Sequence, residues 1–440
     1  MKYFFVGIKG SGMASLALIL HDLGQTISGS DIEQHIFTQD DLETRGISIY
    51  AFSKDNIKED MIVVKGNSFK DDHVEIIRAK ELGLTIYTYV EMLQKLIEEH
   101  YAICIAGTHG KTTTTGLVET ILTGKESTGY LIGDGHGRLS SDALNFVVES
   151  CEYQDNYHNY FPNIALINNI ELDHVDYFHS LEQYIESFAK FASQAKDYVV
   201  LNGDDDNCLK IERENNYYYF GLKDHNNFQA KNIEFSEEGI SFDLYSDFCC
   251  DEKKFCYHFN LNFYGEHMLM NALAAISIYA LKQIDSDFVY MEKQLNSFAG
   301  VARRFEIIEK DTNVFVDDYA HHPTAINLMI DTVKQKYPTK KVIAFFKPDR
   351  YSRIYEFGKE IANALSRADE AYLFEFPTTS AKEPGIDIDM TYVLQYLAGG
   401  KIIEEDESSL KLFKGYQNCI FLFMSSKNVY DFEQELIKSI

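Results

Sequence analysis

At 440 residues the chain is longer than one ordinary hydrophobic core supports, so roughly two to four domains are expected. Its 45% hydrophobic and 25% charged residues are those of a water-soluble globular protein, and a net charge of −27 excludes nucleic acid as the main partner, because neutralising phosphates needs a basic face. No apolar run approaches the roughly 18 residues of a membrane span, Met1 to Val6 enter a glycine loop with no signal-peptide spacing, and the seven cysteines form no CxxC pair; a cytoplasmic protein with no membrane partner, and with reduced core thiols rather than disulfides or zinc, is expected.

In the first hundred residues strand and helix alternate. Residues 3–6 read as a buried strand, followed by the glycine loop Gly7 to Met13 and an apolar helical run over 13–23. A short strand at 26–28 ends on Gly29-Ser30-Asp31, and residues 61–64 and 84–87 are further strands with helices between them. This is the βαβ rhythm of a doubly wound parallel sheet. A strand at 101–106 leads into a second glycine loop, and the rhythm continues through 166–170. Between about 210 and 263 the pattern changes. Alternation such as Ile240-Ser241-Phe242-Asp243-Leu244 predicts antiparallel strands inserted into, or flanking, the α/β core. Helical periodicity returns over 268–281, and after Arg303-Arg304 a third α/β stretch has strands at 314–316, 342–346, 371–374 and 420–423. The fold class expected is therefore α/β in three domains. These are a Rossmann-like domain over 1–98, a central P-loop ATPase-type domain with a small antiparallel sheet over 99–307, and a C-terminal Rossmann-like domain over 308–440.

Both glycine loops follow a strand and open a helix, where free backbone N–H groups and the helix dipole favour an anion. In the first, Gly7-x-x-Gly10-x-Gly12 is not the GxGxxG spacing, and a plain strand–helix turn is an equally good reading. Ser30-Asp31 after the second strand favours a nucleotide, since a polar or acidic group there can bond a ribose. The second loop, Gly107-Thr108-His109-Gly110-Lys111-Thr112 followed by Thr113, carries the parts of a phosphate cradle. Glycines let the backbone curl round oxygens, the lysine supplies a point charge, and the next hydroxyl can hold Mg²⁺. Ile105 stands where the full GxxxxGK[ST] pattern has glycine.

A phosphate loop alone suits many nucleotide enzymes. Together with Glu149-Ser150-Cys151-Glu152, Asn169-Ile170 and Asp173-His174-Val175-Asp176, Gly265-Glu266-His267 with Asn271, and Arg303-Arg304, it resembles the Mur ligases. These enzymes join amino acids to a UDP-linked sugar or peptide in peptidoglycan synthesis, and the resemblance covers nearly the whole chain. The Gly7 to Met13 loop, the paired arginines, Asp317-Asp318-Tyr319-Ala320-His321-His322-Pro323 and Pro348-x-Arg350-Tyr351-Ser352-Arg353 resemble the branch that adds L-alanine first. The resemblance implies ATP and Mg²⁺ as cofactors, and UDP-N-acetylmuramate and L-alanine as partners, in a monomer or a homodimer. It implies UDP-sugar contacts at Gly10, Ser11, Gly12, Met13, Ser30 and Asp31. The loop Gly107 to Thr113 would hold the phosphates, with Lys111 on the terminal ones. Thr112 and Glu149 would ligate Mg²⁺, and His174 a second ion. Asn271 would meet the adenine edge beside His267, Arg304 would reach the phosphates, Asp318 would hold the ribose or its loop, and His321 would border the reacting centre. Arg350 and Arg353 would grip the alanine carboxylate and the developing phosphate charge, work that suits a guanidinium fork.

Departures from the family pattern cluster in the third domain: Lys347 and Asp349 replace Gln and His, Ala325 replaces Glu, and Ser425-Ser426-Lys427 replace a glycine-bearing turn. Two other readings follow. One is a sister ligase that attaches another amino acid or a preformed peptide; the other is a non-catalytic UDP-sugar-binding homologue.

Overall fold

Short, apolar, β-branched or aromatic runs covered by helices on both faces are what parallel sheets require, and three such sheets organise this chain. The computed structural model describes residues 1–440 except 215, 249–252, 283–286, 302–303, 379, 381 and 384. The first sheet has the spatial order Ser48–Tyr50, Thr26–Ser30, Lys2–Val6, Met61–Lys65 and Ile86–Thr88, all parallel. The loop after Lys2–Val6 therefore lies where the strand order reverses, the crevice in which such sheets bind ligands.

The helix Tyr89–Glu99, fixed at its start by a capping box between Thr88 and Glu91, leads into the second sheet. Its order is Lys254–Leu261, Gly239–Ser246, Phe228–Ser236, Tyr217–Gly221, Tyr198–Asn202, Ile164–Ile167, Tyr101–Ala106, Asn145–Glu149, Thr128–Leu131 and Gly137–Arg138. Strands from Phe228–Ser236 to Thr128–Leu131 pair in parallel. The expected antiparallel strands are present, but they extend the same ten-stranded sheet instead of forming a separate one. Phe228–Ser236 makes the join, parallel to Tyr217–Gly221 on one side and antiparallel to Gly239–Ser246 on the other.

The third sheet runs Glu306–Lys310, Asn313–Asp318, Cys419–Met424, Lys341–Phe346, Glu370–Leu373 and Lys401–Ile402, parallel except for the first hairpin. All four strands expected here are found, and the added members are short edge strands. The carboxyl ends of Tyr101–Ala106, Asn145–Glu149 and Ile164–Ile167 open towards those of Asn313–Asp318 and Lys341–Phe346, as the side-chain contacts across the seam show. Cys104, Cys208 and Cys419 are buried thiols as expected, whereas Cys151 is exposed and Cys249 and Cys250 lie outside the described residues. Among the described residues no helix is long and apolar enough to cross a membrane.

Candidate active site

The buried strand Tyr101–Ala106 ends on Gly107, and the helix Lys111–Thr123 begins after Gly110. Both glycines adopt positive φ, 137° and 80°. A Cβ at Gly110 would lie 2.6 Å from Asn271 Oδ1, and one at Gly107 would lie 3.0 Å from Asn168 Cβ, so no larger residue fits either turn. As first-turn positions, Lys111, Thr112 and Thr113 have N–H groups with no carbonyl one turn back to bond. The loop is sewn to its neighbour: Thr108 N–H donates to Asn169 O at 3.1 Å, His109 N–H to Asn169 Oδ1 at 2.8 Å, and the Thr108 hydroxyl to Glu171 O at 2.9 Å.

Around this loop stand two carboxylates with different partners. Glu149 accepts from the Thr112 hydroxyl at 3.1 Å and from Gly133 N–H at 2.7 Å. Arg304, stacked 4.5 Å over the Tyr319 ring, donates to the same Thr112 oxygen at 3.3 Å, so it reaches the loop from the domain joint. Arg303 lies outside the described residues. Glu152, only 1% exposed, pairs with Lys111 Nζ at 3.0 Å and accepts from the Tyr184 hydroxyl at 3.2 Å. His174 Nε2 stands 3.5 Å from the same carboxylate, while its buried Nδ1 has no partner among the described residues. Hard oxygen donors at Thr112 and Glu149 are the ligand type Mg²⁺ takes, and the orphaned imidazole nitrogen of His174 is free to ligate a second ion. The residues present therefore fit Mg²⁺ and a polyphosphate.

Burial alone would push the Glu152 carboxyl up, but Lys111 and His174 overcome it and carry it down to about 2 from the ordinary 4.5. Its folded value lies below its unfolded one, so its stabilising contribution is present above about pH 4.5 and lost as pH falls towards 2. Glu152→Gln is expected to flatten the stability–pH slope in that window, measured by urea midpoints at stepped pH; an unchanged slope would show that Glu152 is not the titrating group.

The seam with the third domain is a set of charge pairs. Arg353, 4% exposed, donates through Nη2 to both oxygens of Asp173 at 2.9 and 3.1 Å and through Nη1 to Asp349. Its guanidinium is thus engaged by the protein on both sides. Gripping an amino-acid carboxylate, the role expected of it, would require Asp173 or Asp349 to let go. Arg350 is half-exposed, bonds both Asp176 oxygens at 3.0 and 3.1 Å, and lies 5.0 Å over the Tyr153 ring. His321 donates its Nδ1–H to Tyr319 O at 2.8 Å. Burial, with Arg353 beside it, lowers the ring to about 3 and keeps it neutral.

The third-domain departures bond one another. Ser426 donates to Asp349 at 2.9 Å, Ser425 to Lys347 O at 2.9 Å, and Lys347 pairs with Glu405 at 2.6 Å. Burial opposes ionisation of Asp349, but Arg353 outweighs it and holds the carboxyl well below the usual range. A carboxylate that acidic is a poor proton acceptor near neutrality, so Asp349 does not stand in as a base for a histidine.

In the first domain the loop residues separate. Gly10 is exposed and Ser11 and Gly12 half-buried, at the mouth of the crevice, whereas Met13 is in the core. Ser30, expected at the UDP-sugar site, is fully buried and donates its hydroxyl to Glu75 at 2.6 Å, a bond within the fold. Asp31 accepts from Lys9 N–H at 2.7 Å and Ile32 N–H at 2.8 Å, closing the loop with oxygens that were expected to meet a ribose. Two more expectations shift in the same way. Asn271 accepts from the Thr114 hydroxyl at 3.1 Å beneath the phosphate loop. Asp318 accepts backbone N–H from Phe305 at 3.0 Å and Ala320 at 2.8 Å, and burial raises its carboxyl to about 6. His267 is lowered to about 4 by burial. Tyr184 and Tyr153 join the site without any motif to announce them; only their partners, 32 and 23 positions away, reveal them.

Three sheets in this order, with a phosphate loop facing arginines across a seam, define a nucleotide-dependent ligase architecture. Family models agree: residues 2–101 match "Mur ligase family, catalytic domain", 105–279 "Mur ligase middle domain" and 303–404 "Mur ligase, glutamate ligase domain". The chain belongs to the Mur ligase family, which comprises ATP-dependent ligases. Its fold is similar to that of UDP-N-acetylmuramate-alanine ligase MurC from Thermotoga maritima, with a TM-score of 0.81 and 24% identity over 100% of this chain and 98% of that one. It is similar also to a murein peptide ligase from Psychrobacter arcticus, with a TM-score of 0.73 and 23% identity over 100% and 98%. A pseudomurein peptide ligase type C from Methanothermus fervidus matches with a TM-score of 0.67 and 19% identity over 99% of each chain.

Proposed function

We propose that the chain joins L-alanine to the lactyl carboxylate of UDP-N-acetylmuramate with hydrolysis of ATP, through an acyl phosphate. The observation that carries this reading is the single loop at which Lys111 meets Glu152 and Thr112 meets Glu149. Phosphoryl transfer needs positioning and charge neutralisation more than a nucleophilic side chain. The loop N–H groups and Lys111 would hold the phosphates, Thr112 and Glu149 a Mg²⁺, and His174 a second. Bound there, Mg²⁺ supplies charge neutralisation on the transferring phosphoryl group. Gly10, Ser11 and Gly12 would receive the UDP moiety. A neutral His321 whose Nδ1–H is donated to Tyr319 O leaves Nε2 to accept a hydrogen bond from the alanine amine and orient it. Closure of the seam excludes water from the acyl phosphate.

A phosphate-release assay with UDP-N-acetylmuramate, Mg²⁺ and a panel of L-alanine, glycine, L-serine and a muropeptide tripeptide tests the substrate. L-Alanine is expected to support turnover best; turnover with the tripeptide alone would overturn the reading. Glu149→Gln is expected to raise the Mg²⁺ requirement at least about tenfold with the fold intact, seen by titrating Mg²⁺ in the same assay.

One observation favours the peptide-adding alternative. A cleft of about 870 Å³ lined by Tyr351, Glu375, Lys382, Asp389 and Tyr392 lies next to the Asp349 loop, which Ser380 braces by bonding Asp349 O at 3.1 Å. A single alanine needs far less room.

A further inference from the structure

Three polar side chains from separate parts of the chain meet beside the phosphate loop without a role in the reading above. His109 comes from the loop, Glu171 from the segment after Ile164–Ile167, and His322 from the start of the third domain's first helix, Pro323–Lys336. His109 Nε2 is 3.1 Å from Glu171 Oε2, and His322 Nδ1 is 3.6 Å from the same oxygen. One donor atom from each lies within 4.8 Å of the others. The rings of His109 and His322 are 5.0 Å apart, centroid to centroid.

The second observation is independent of this proximity. His322 is 2% exposed, and neither of its ring nitrogens has a hydrogen-bond partner among the described residues. Leaving a buried polar group unsatisfied is costly, so such a ring points to a missing ligand. We propose that His109, Glu171 and His322 hold one borderline-soft divalent cation of the zinc or cobalt class, separate from the Mg²⁺ positions. Two imidazoles and a carboxylate select such ions over Mg²⁺, which takes oxygen donors. Ligands about 2.0–2.2 Å from a tetrahedral ion stand roughly 3.3–3.6 Å apart; the 3.6 Å separation of His322 and Glu171 matches this, the 3.1 Å separation of His109 and Glu171 falls just below it, and the two histidine nitrogens lie within 4.8 Å of each other. Thr324 donates to the other Glu171 oxygen at 2.6 Å, which orients Oε2 towards the two rings. Glu171 is 40% exposed, which leaves the fourth position to water. Because the ligands come from two domains, the ion would clamp the seam.

The test uses the full chain, stripped with a chelator and free of nucleotide, so failure of the ligation reading leaves it unaffected. Co²⁺ is titrated in excess Mg²⁺, with visible ligand-field absorption and elemental analysis as readouts. One Co²⁺ per chain with four-coordinate bands, displaced by Zn²⁺, is expected. His322→Gln should weaken binding at least about a hundredfold, and Glu171→Gln, at a more exposed position, should do likewise, with circular dichroism confirming each fold. Absence of a stoichiometric four-coordinate spectrum in the wild-type chain overturns the proposal, whether or not a variant folds. Undiminished binding in a folded variant overturns it equally.

Discussion

Lys111→Met is expected to abolish ATP-dependent phosphate release, by at least about a thousandfold, and also to lower the melting temperature. On the proposed reading, the first effect follows from removing the point charge that would meet the transferring phosphate in a partly desolvated site. The second follows from Glu152, which is 1% exposed and loses the cation that keeps it ionised. Removing one partner of a buried pair costs about 3–5 kcal/mol, because the remaining charge is uncompensated. The two effects separate in the double variant Lys111→Met/Glu152→Gln. A neutral glutamine restores most of the stability and none of the turnover. Thermal melts and phosphate release on the three proteins decide this. A single variant that melts like the wild type would show that Glu152 does not depend on Lys111.

Arg353→Met is expected to separate the second and third domains. It leaves Asp173 and Asp349 facing each other across the seam, two carboxylates 8% and 10% exposed with their shared cation gone. The loss is about 3–5 kcal/mol by the same argument, but it falls on the interface rather than on one domain. Calorimetry should therefore resolve the third domain melting apart from the rest, and small-angle scattering should report a larger radius of gyration. Activity should drop at least about a hundredfold, since misplacement by an ångström suffices for that. Arg353→Lys recovers only part, because an ammonium cannot bond Asp173 bidentately and reach Asp349 as well. If scattering is unchanged in the methionine variant, the pair is not what holds the domains together.

The phosphate loop was readable in the sequence because its parts are contiguous: Gly107 to Thr113 carry turn, charge and hydroxyl within one turn of chain. Long apolar strands such as Tyr101–Ala106 and Lys341–Phe346 were readable for a similar reason, since burial on both faces leaves an unbroken hydrophobic run. Three-residue strands such as Ser48–Tyr50 carry too few residues for any period to show. The seam was not readable. Arg353 and Asp173 are 180 positions apart, and nothing local marks an arginine as spoken for by another domain. Asp31, Asn271 and Asp318 teach the same point. Each sits at a place where a ligand contact is reasonable, and each spends oxygens on its own chain's N–H or hydroxyl groups. Sequence position alone does not say how many lone pairs remain.

The seam's charge pairs differ in their access to water, and dissolved salt distinguishes them. Arg350 and Asp176 are 35% and 28% exposed, whereas Arg353 and Asp173 are 5% and 8%. Mobile ions screen charges over about 8–10 Å at ordinary ionic strength, and they act far more strongly on the outer pair than on the inner one. The outer contact is thus a salt-sensitive fastening at the rim, and the inner one keeps its grip in brine. Raising ionic strength would loosen the rim of the seam before it disturbs the buried pair behind it.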